Sequence, residues 1–167
     1  MTRRRPTIGE LLAFGDEDYR FYTAIHEIGH AASGLATGNV AVDRCVLTIK
    51  PKAQSDARTV VRWAEDDTEQ RTRLVLLHGG LLAQVRWMKE HGLWTAERCR
   101  AAVSGARHDI DAIEELSADE AAVQDAGAQS EWALARLWPG VMAAARILSD
   151  AGQITGDQLC DVLNRVR

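Results

Sequence analysis

The sequence predicts a mostly α (α+β) domain, with one small β-hairpin or sheet beside a long helix at residues 16–36. Three observations point there. Apolar residues recur at helical spacing over most of the chain, β-branched runs are confined to residues 43–64, and capping signals punctuate the joins. At 167 residues the chain fits one domain with a sizeable core. Residues 1–15 read as an N-terminal arm and 16–167 as the domain itself.

Thr7-Ile8-Gly9-Glu10 has the spacing of a capping box and predicts a short lead-in helix ending near Gly15. Asp16 then reads as the N-cap of a helix to about Ala36, stopped by Gly38. Ala31-Ala32-Ser33-Gly34 are all small, which suits a second backbone packing closely there. The strands are expected at 43–50 and 58–64, joined by a polar loop holding Pro51 and Ser55-Asp56. In the first, Cys45, Leu47 and Ile49 share one face and Val46 and Thr48 the other. So short a sheet leaves an edge free.

Residues 68–90 follow with Leu74, Leu77, Leu81, Leu82 and Val85 on a broad apolar face, and Gly79-Gly80 suggests a close crossing. Gly92 ends that helix. Further helices are expected at 95–103, at 106–126 with a break near Ser117, and at 130–150, where Pro139-Gly140 should kink or split the chain. Thr155-Gly156-Asp157-Gln158 is a second capping box, opening a final amphipathic helix.

A formal net charge of −4 gives no global attraction to nucleic acid or an anionic membrane, so neither is expected as a partner. Arg3-Arg4-Arg5 reads as a solvated terminus. The apolar run after it is too short for a signal peptide, and no stretch is long enough for a membrane span. Cys45, Cys99 and Cys160 have no metal-ligand spacing and read as free thiols, so a cytoplasmic location is expected.

His26-Glu27-Ile28-Gly29-His30 carries the chemistry. Residues four apart on a helix share a face, so two imidazoles at that spacing can converge on one metal. Glu27, about 100° round the helix, cannot join them as a ligand from the same turn, but it can reach a water on the metal. The ion lowers that water's pKa toward about 7, and Glu27 would take its proton as general base. Apolar Ile25 and Ile28 beside the motif argue against a freely solvated helix. A catalytic zinc needs a third protein ligand and an open position. No third His follows at short spacing, and from chemistry alone Asp109, His108, Asp111, Glu114 and Glu115 are comparable options.

In order along the chain, several blocks resemble the peptidase domain of the FtsH-type ATP-dependent zinc proteases. Ala24-Ile25-His26-Glu27-Ile28-Gly29-His30-Ala31 is similar to that family's A-x-H-E-A-G-H-A, and Leu47-Thr48-Ile49-Lys50-Pro51 to its V-x-I-x-P. Leu77-His78-Gly79-Gly80-Leu81-Leu82-Ala83 resembles L-G-G-R-A-A-E, and Ser104-Gly105-Ala106-Arg107-His108-Asp109-Ile110 resembles T-G-A-x-N-D-L. Ile154-Thr155-Gly156-Asp157-Gln158-Leu159 looks like the closing segment, so the likeness spans about residues 20–167. Only the first block is specific by itself.

The resemblance implies zinc held by His26, His30 and Asp109, with Glu27 as catalytic base. His108 stands where the family has Asn and reads as an outer partner of the metal ligands or a solvated side chain. Gln84 replaces a family Glu near the ligands, and an amide holds a ligand's N–H less strongly than a carboxylate. No Walker-type phosphate loop occurs in these residues. The expectation is therefore a soluble zinc metallopeptidase that works without its own ATPase on peptides or unfolded segments, or with an unfoldase in trans. An extended substrate would add as a strand at Val46, Leu47, Thr48 and Ile49. By analogy the chain would form a homo-oligomer. Two other expectations stand beside this one: a metal-bearing module that binds or regulates without proteolysis, and a zinc hydrolase acting on a small-molecule amide. His91 reads as a helix-end residue, His78 as partly buried, and the five tryptophans as core or interface anchors.

Overall fold

A computed structural model describes residues 6–50, 54–63, 69–116 and 119–165. Arg3-Arg4-Arg5, Pro51 and Ser117 lie outside these. Seven helices and a three-stranded antiparallel sheet are present among the described residues, in agreement with the mostly helical α+β expectation.

Helix α1 (Ile8–Leu12) opens with the expected capping box, Thr7 accepting from the Glu10 amide and Glu10 Oε2 accepting from the Thr7 amide. The described part of the N-terminal segment packs on the rest of the chain. Leu12 is fully buried in the main core, and its carbonyl accepts from Arg98 Nε at 2.9 Å. Helix α2 (Asp16–Ala36) is capped by Gly15, so Asp16 sits one position inside, where its carboxylate favours the helix dipole. Gly38 ends it with a φ of 78°.

Helix α2 is the axis of the fold. It packs on α3 (Glu69–Glu90), on α6 (Glu120–Ala151) and on the sheet, and Ala24, Ile25, Ile28, Ala31 and Ala32 are all fully buried. The crossing with α3 is the tightest point. A Cβ on Gly29 would collide with the Gly79 carbonyl oxygen, and one on Gly79 with the Gly29 carbonyl. Small residues in both helices thus let the backbones touch, as expected at Gly79-Gly80. The contact centres on Gly29 and extends into the later small run at Ser33, whose Oγ would stand 2.5 Å from a Cβ on Gly79, while Gly34 meets Leu76 and Val40 side chains.

Strand β1 (Val40–Lys50) pairs with β2 (Gln54–Trp63) over its whole length, with a register shift at Asp43. Both start earlier than expected, and Ser55 and Asp56 belong to β2 rather than to the loop. The sheet holds a third strand, β3 (Gln153–Thr155), on the other side of β1. The order β2-β1-β3 makes β1 central, so the edge expected to be free at Val46–Ile49 is taken at Val46 and Leu47, while the pairing with β3 does not extend to Thr48 and Ile49. Val46 pairs with Arg58 on one side and Gln153 on the other, and the Leu47 amide donates to the Gly152 carbonyl at 2.8 Å.

Helices α4 (Ala96–Gly105) and α5 (Arg107–Leu116) follow α3. The expected helix start near residue 130 is absent, because α6 runs unbroken from Glu120 through Ser130 and Pro139 to Ala151. Proline costs one ladder bond there. Burial of Leu137, Trp138, Val141, Ala144 and Ala145 around it holds the helix together. Helix α7 (Gly156–Asn164) begins at the expected Thr155–Gln158 capping box.

Candidate metal centre

His26 and His30 lie on the face of α2 that looks toward α3 and α5, next to the Gly29–Gly79 contact. A Cβ on Gly80 would stand 2.6 Å from His26 Cε1 and from His30 Cε1 and Nε2, so a bare backbone forms the floor beneath both rings. Asp109, in the first turn of α5, meets them from the opposite side. His26 Nε2 and His30 Nε2 are 3.0 Å apart, and Asp109 Oδ2 is 3.1 and 3.3 Å from them. Three ligands at about 2.0–2.1 Å in a tetrahedral shell are separated by about 3.3–3.4 Å, so this spacing fits a zinc-sized ion.

The donor set fits as well. The His30 Nδ1–H donates to the Leu76 carbonyl at 2.8 Å, which leaves the Nε2 lone pair of the neutral ring facing the cluster. Two imidazole nitrogens and a carboxylate oxygen this close repel one another unless a cation or protons lie among them. Without a metal, protons take that role. Burial works to lower the His30 pKa, but the hydrogen bond to Asp109 and the charges of Asp109 and Glu27 outweigh it and push it up to about 9. Burial likewise works to raise the Asp109 pKa, and hydrogen bonds to His26 and His30 hold it well below the usual carboxylate range. Two imidazoles and one carboxylate are ligands that suit zinc.

Glu27 points into the same cleft and is nearly buried. Its Oε2 accepts from Thr59 Oγ1 at 2.8 Å, and the Thr59 hydroxyl also lies 2.9 Å from the Glu27 main-chain oxygen. The cleft, about 660 Å³, is lined by Tyr19 and Tyr22 of α2, Leu76 and Leu77 of α3, and Ala57, Arg58 and Thr59 of β2. Ile8 of α1 reaches its rim.

The structure thus brings His26, His30, Asp109 and Glu27 together. Asp111, Glu114 and Glu115, on the same helix as Asp109, are not in the cluster of donor atoms that could share one ion among the described residues. Gln84 lines the cleft, but its Nε2 donates to the Tyr22 carbonyl at 3.2 Å rather than holding a ligand's ring. The buried His26 Nδ1 has no hydrogen-bond partner. His108 lines the rim as an exposed side chain. Val46–Ile49 do not form the cleft wall, a part taken by Ala57–Thr59 of the neighbouring strand. His78 lies on α3 against Gly127 of α6, half-buried, and His91 bonds the Trp87 carbonyl at 2.9 Å near the end of α3.

Thr59 and the Leu76 carbonyl are the site residues that sequence reasoning missed. A carbonyl leaves no mark in side-chain pattern, and a threonine in a strand is ordinary. Compared with known protein families and with curated proteins, the chain matches none.

Proposed function

We propose that the chain is a zinc-dependent metallopeptidase, with His26, His30 and Asp109 as metal ligands and Glu27 as general base. One observation carries this reading: three donor atoms spaced for a single ion share a cleft with a carboxylate borne by the helix that supplies two of them. The ordered blocks that resemble the FtsH-type peptidase domain support it further. When bound, zinc supplies Lewis-acid polarisation of a carbonyl and lowers the pKa of water toward about 7.

The chain's own residues supply the rest. Glu27, with Oε2 tied to Thr59, keeps its other oxygen for the proton of the attacking water and returns that proton to the leaving amine. The Leu76 carbonyl fixes the His30 ring, and the Gly80 backbone leaves room for both imidazoles. Tyr19, Tyr22, Leu76 and Leu77 give the cleft apolar walls suited to a peptide side chain. An extended substrate segment adds at the edge of β2, beside Ala57–Thr59, because β1 has partners on both sides there.

The test is zinc content and peptide cleavage in Glu27→Gln. The expected outcome is undiminished zinc with cleavage reduced roughly 10²–10⁴-fold. Equal inactivity of both proteins, on broad peptide libraries and on small amides, would reject catalysis. The alternative would then be a metal-bearing binding module, a reading favoured by the unpartnered His26 Nδ1. A zinc ligand that lacks the usual outer hydrogen bond is less well tuned for turnover.

A further inference from the structure

We infer that Thr59 is a positioning residue for Glu27, and that β2 links the seating of an extended ligand to the alignment of the general base. The inference rests on the peptidase reading for its catalytic meaning, but its geometry stands without it. Glu27 is on α2 and Thr59 on the edge strand β2, 32 residues on, and one hydroxyl spans the gap between the two elements. A threonine hydroxyl has one proton and two acceptor sites. Both the Glu27 main-chain oxygen and carboxylate Oε2 lie in reach, at 2.9 and 2.8 Å, but the main-chain oxygen already accepts a helix bond and a carboxylate oxygen is the stronger acceptor, so the proton goes to Oε2. Behind Thr59, Cys45 Sγ lies 3.7 Å from Oγ1. Burial pushes the Cys45 thiol up to about 12, and it therefore keeps its proton to donate. Cys45, Thr59 and Glu27 form a directed chain that ends on the carboxylate.

Without that hydroxyl, the Glu27 side chain has three free torsions and one fewer fixed contact. With it, one oxygen is fixed and the other is left for chemistry. The strand that carries Thr59 also presents Ala57 and Arg58 to the cleft, and β2 is a sheet edge. A segment that pairs with this edge rests on the same backbone that sets the position of Glu27. Small displacements of a catalytic group have large kinetic effects, with about 1 Å worth about 100-fold.

The experiment uses the full chain as Thr59→Val, Thr59→Ser and Thr59→Ala. Metal-free crystals report the Glu27 carboxylate position, and zinc-loaded protein reports kcat and KM on the best library peptide. In Thr59→Val and Thr59→Ala the carboxylate is expected to leave its present place, and kcat to fall roughly 10- to 100-fold with KM within about two-fold. Thr59→Ser should restore both. Packing alone would give the reverse order, Val retaining activity and Ser losing it, and that order overturns the inference. So does an unmoved carboxylate in Thr59→Val. If the wild type cleaves nothing while the carboxylate moves in Val and returns in Ser, the peptidase reading fails and the positioning role stands.

Discussion

The two halves of the candidate metal centre are built to different standards of rigidity. His26, Glu27 and His30 belong to α2, whose core-facing residues are fully buried and whose backbone touches α3 at Gly29 and Gly79. Asp109 belongs to α5, a ten-residue helix with no buried residue, tied back at its start by the Ile110 amide donating to the Ala106 carbonyl. One half holds its geometry through packing, which cannot relax without cost. The other packs only the partly buried Ile113 and Leu116, against Leu74, Val75 and Ala126, and so has less packing to overcome when it moves. The lesson is that His26, Glu27 and His30 are fixed by a fully packed helix, whereas Asp109 is held by a lightly packed one and by its contacts with the two histidines.

The strongest way to break this contrast is through the crossing. Gly79→Ala places a methyl group against the Gly29 carbonyl, which belongs to a helix backbone and cannot turn aside. Overpacking of this kind costs about 3 kcal/mol, so Tm in calorimetry should fall by roughly 10 °C. Gly80→Ala strikes imidazole ring atoms instead, at 2.6 Å, and these can give way by breaking the His30–Leu76 hydrogen bond rather than by moving a helix backbone. It should lose zinc while losing less stability. Equal Tm losses for the two variants would remove the distinction between packed backbone and movable ring.

Asp109→Ala sharpens the comparison from the other side. Removing a direct ligand should weaken zinc affinity by about 100-fold or more, measured by competition with a chelating dye, since outer partners alone account for 10–100-fold. Because Asp109 is only partly buried and the α5 contacts made by Ile113 and Leu116 are untouched, the metal-free variant at pH 9.5 should melt within about 2 °C of the wild type. Undiminished zinc in elemental analysis would reject Asp109 as the third ligand.

Between pH 6.5 and 9.5 the metal-free wild type carries a signature of its own. His30 has a pKa raised from 6.5 to about 9, so the folded state holds its proton more tightly than the unfolded chain. That stability is fully present below pH 6.5 and is lost as pH rises through about 9. Asp109, with its pKa lowered, adds stability above the ordinary carboxylate range that disappears as pH falls. The metal-free Tm should therefore drop by roughly 5 °C from pH 6.5 to 9.5, and Asp109→Ala should flatten most of that slope. Zinc loading replaces the proton and should abolish the drop. A slope unchanged in Asp109→Ala would place its origin outside this cluster.

What was legible in the sequence follows the range of the interaction. Capping boxes at Thr7–Glu10 and Thr155–Gln158 act over three residues and could be read directly. The His26–His30 spacing is equally local, because the helical period alone puts both rings on one face. Asp109 needed a resemblance, since Asp111, Glu114 and Glu115 offer the same chemistry nearby. Strand β3 was hidden because three residues carry no period, and its pairing with Arg44–Val46 bridges more than a hundred positions. The same three residues cover the start of the expected β1 edge, at Val46, and leave β2 as an outer strand. Pro139 misled in the opposite sense, as a strong local breaker overruled by tertiary burial around it.

The smallest effect expected concerns Gln84, which separates holding the helix from tuning the metal. Its amide donates to the Tyr22 carbonyl, one turn before His26, and so bonds the rigid half to itself rather than to a ligand ring. Gln84→Met keeps most of the volume and deletes that bond. A neutral hydrogen bond is worth about 1 kcal/mol, so Tm should fall by only a few degrees. Zinc content should stay at the wild-type level, because His26 Nδ1 receives nothing from Gln84. Loss of zinc in this variant would show that Gln84 does support His26 after all. The division between a packed half and a self-held half would then have to run through α3, with Gln84 counted among the groups that organise the ligands.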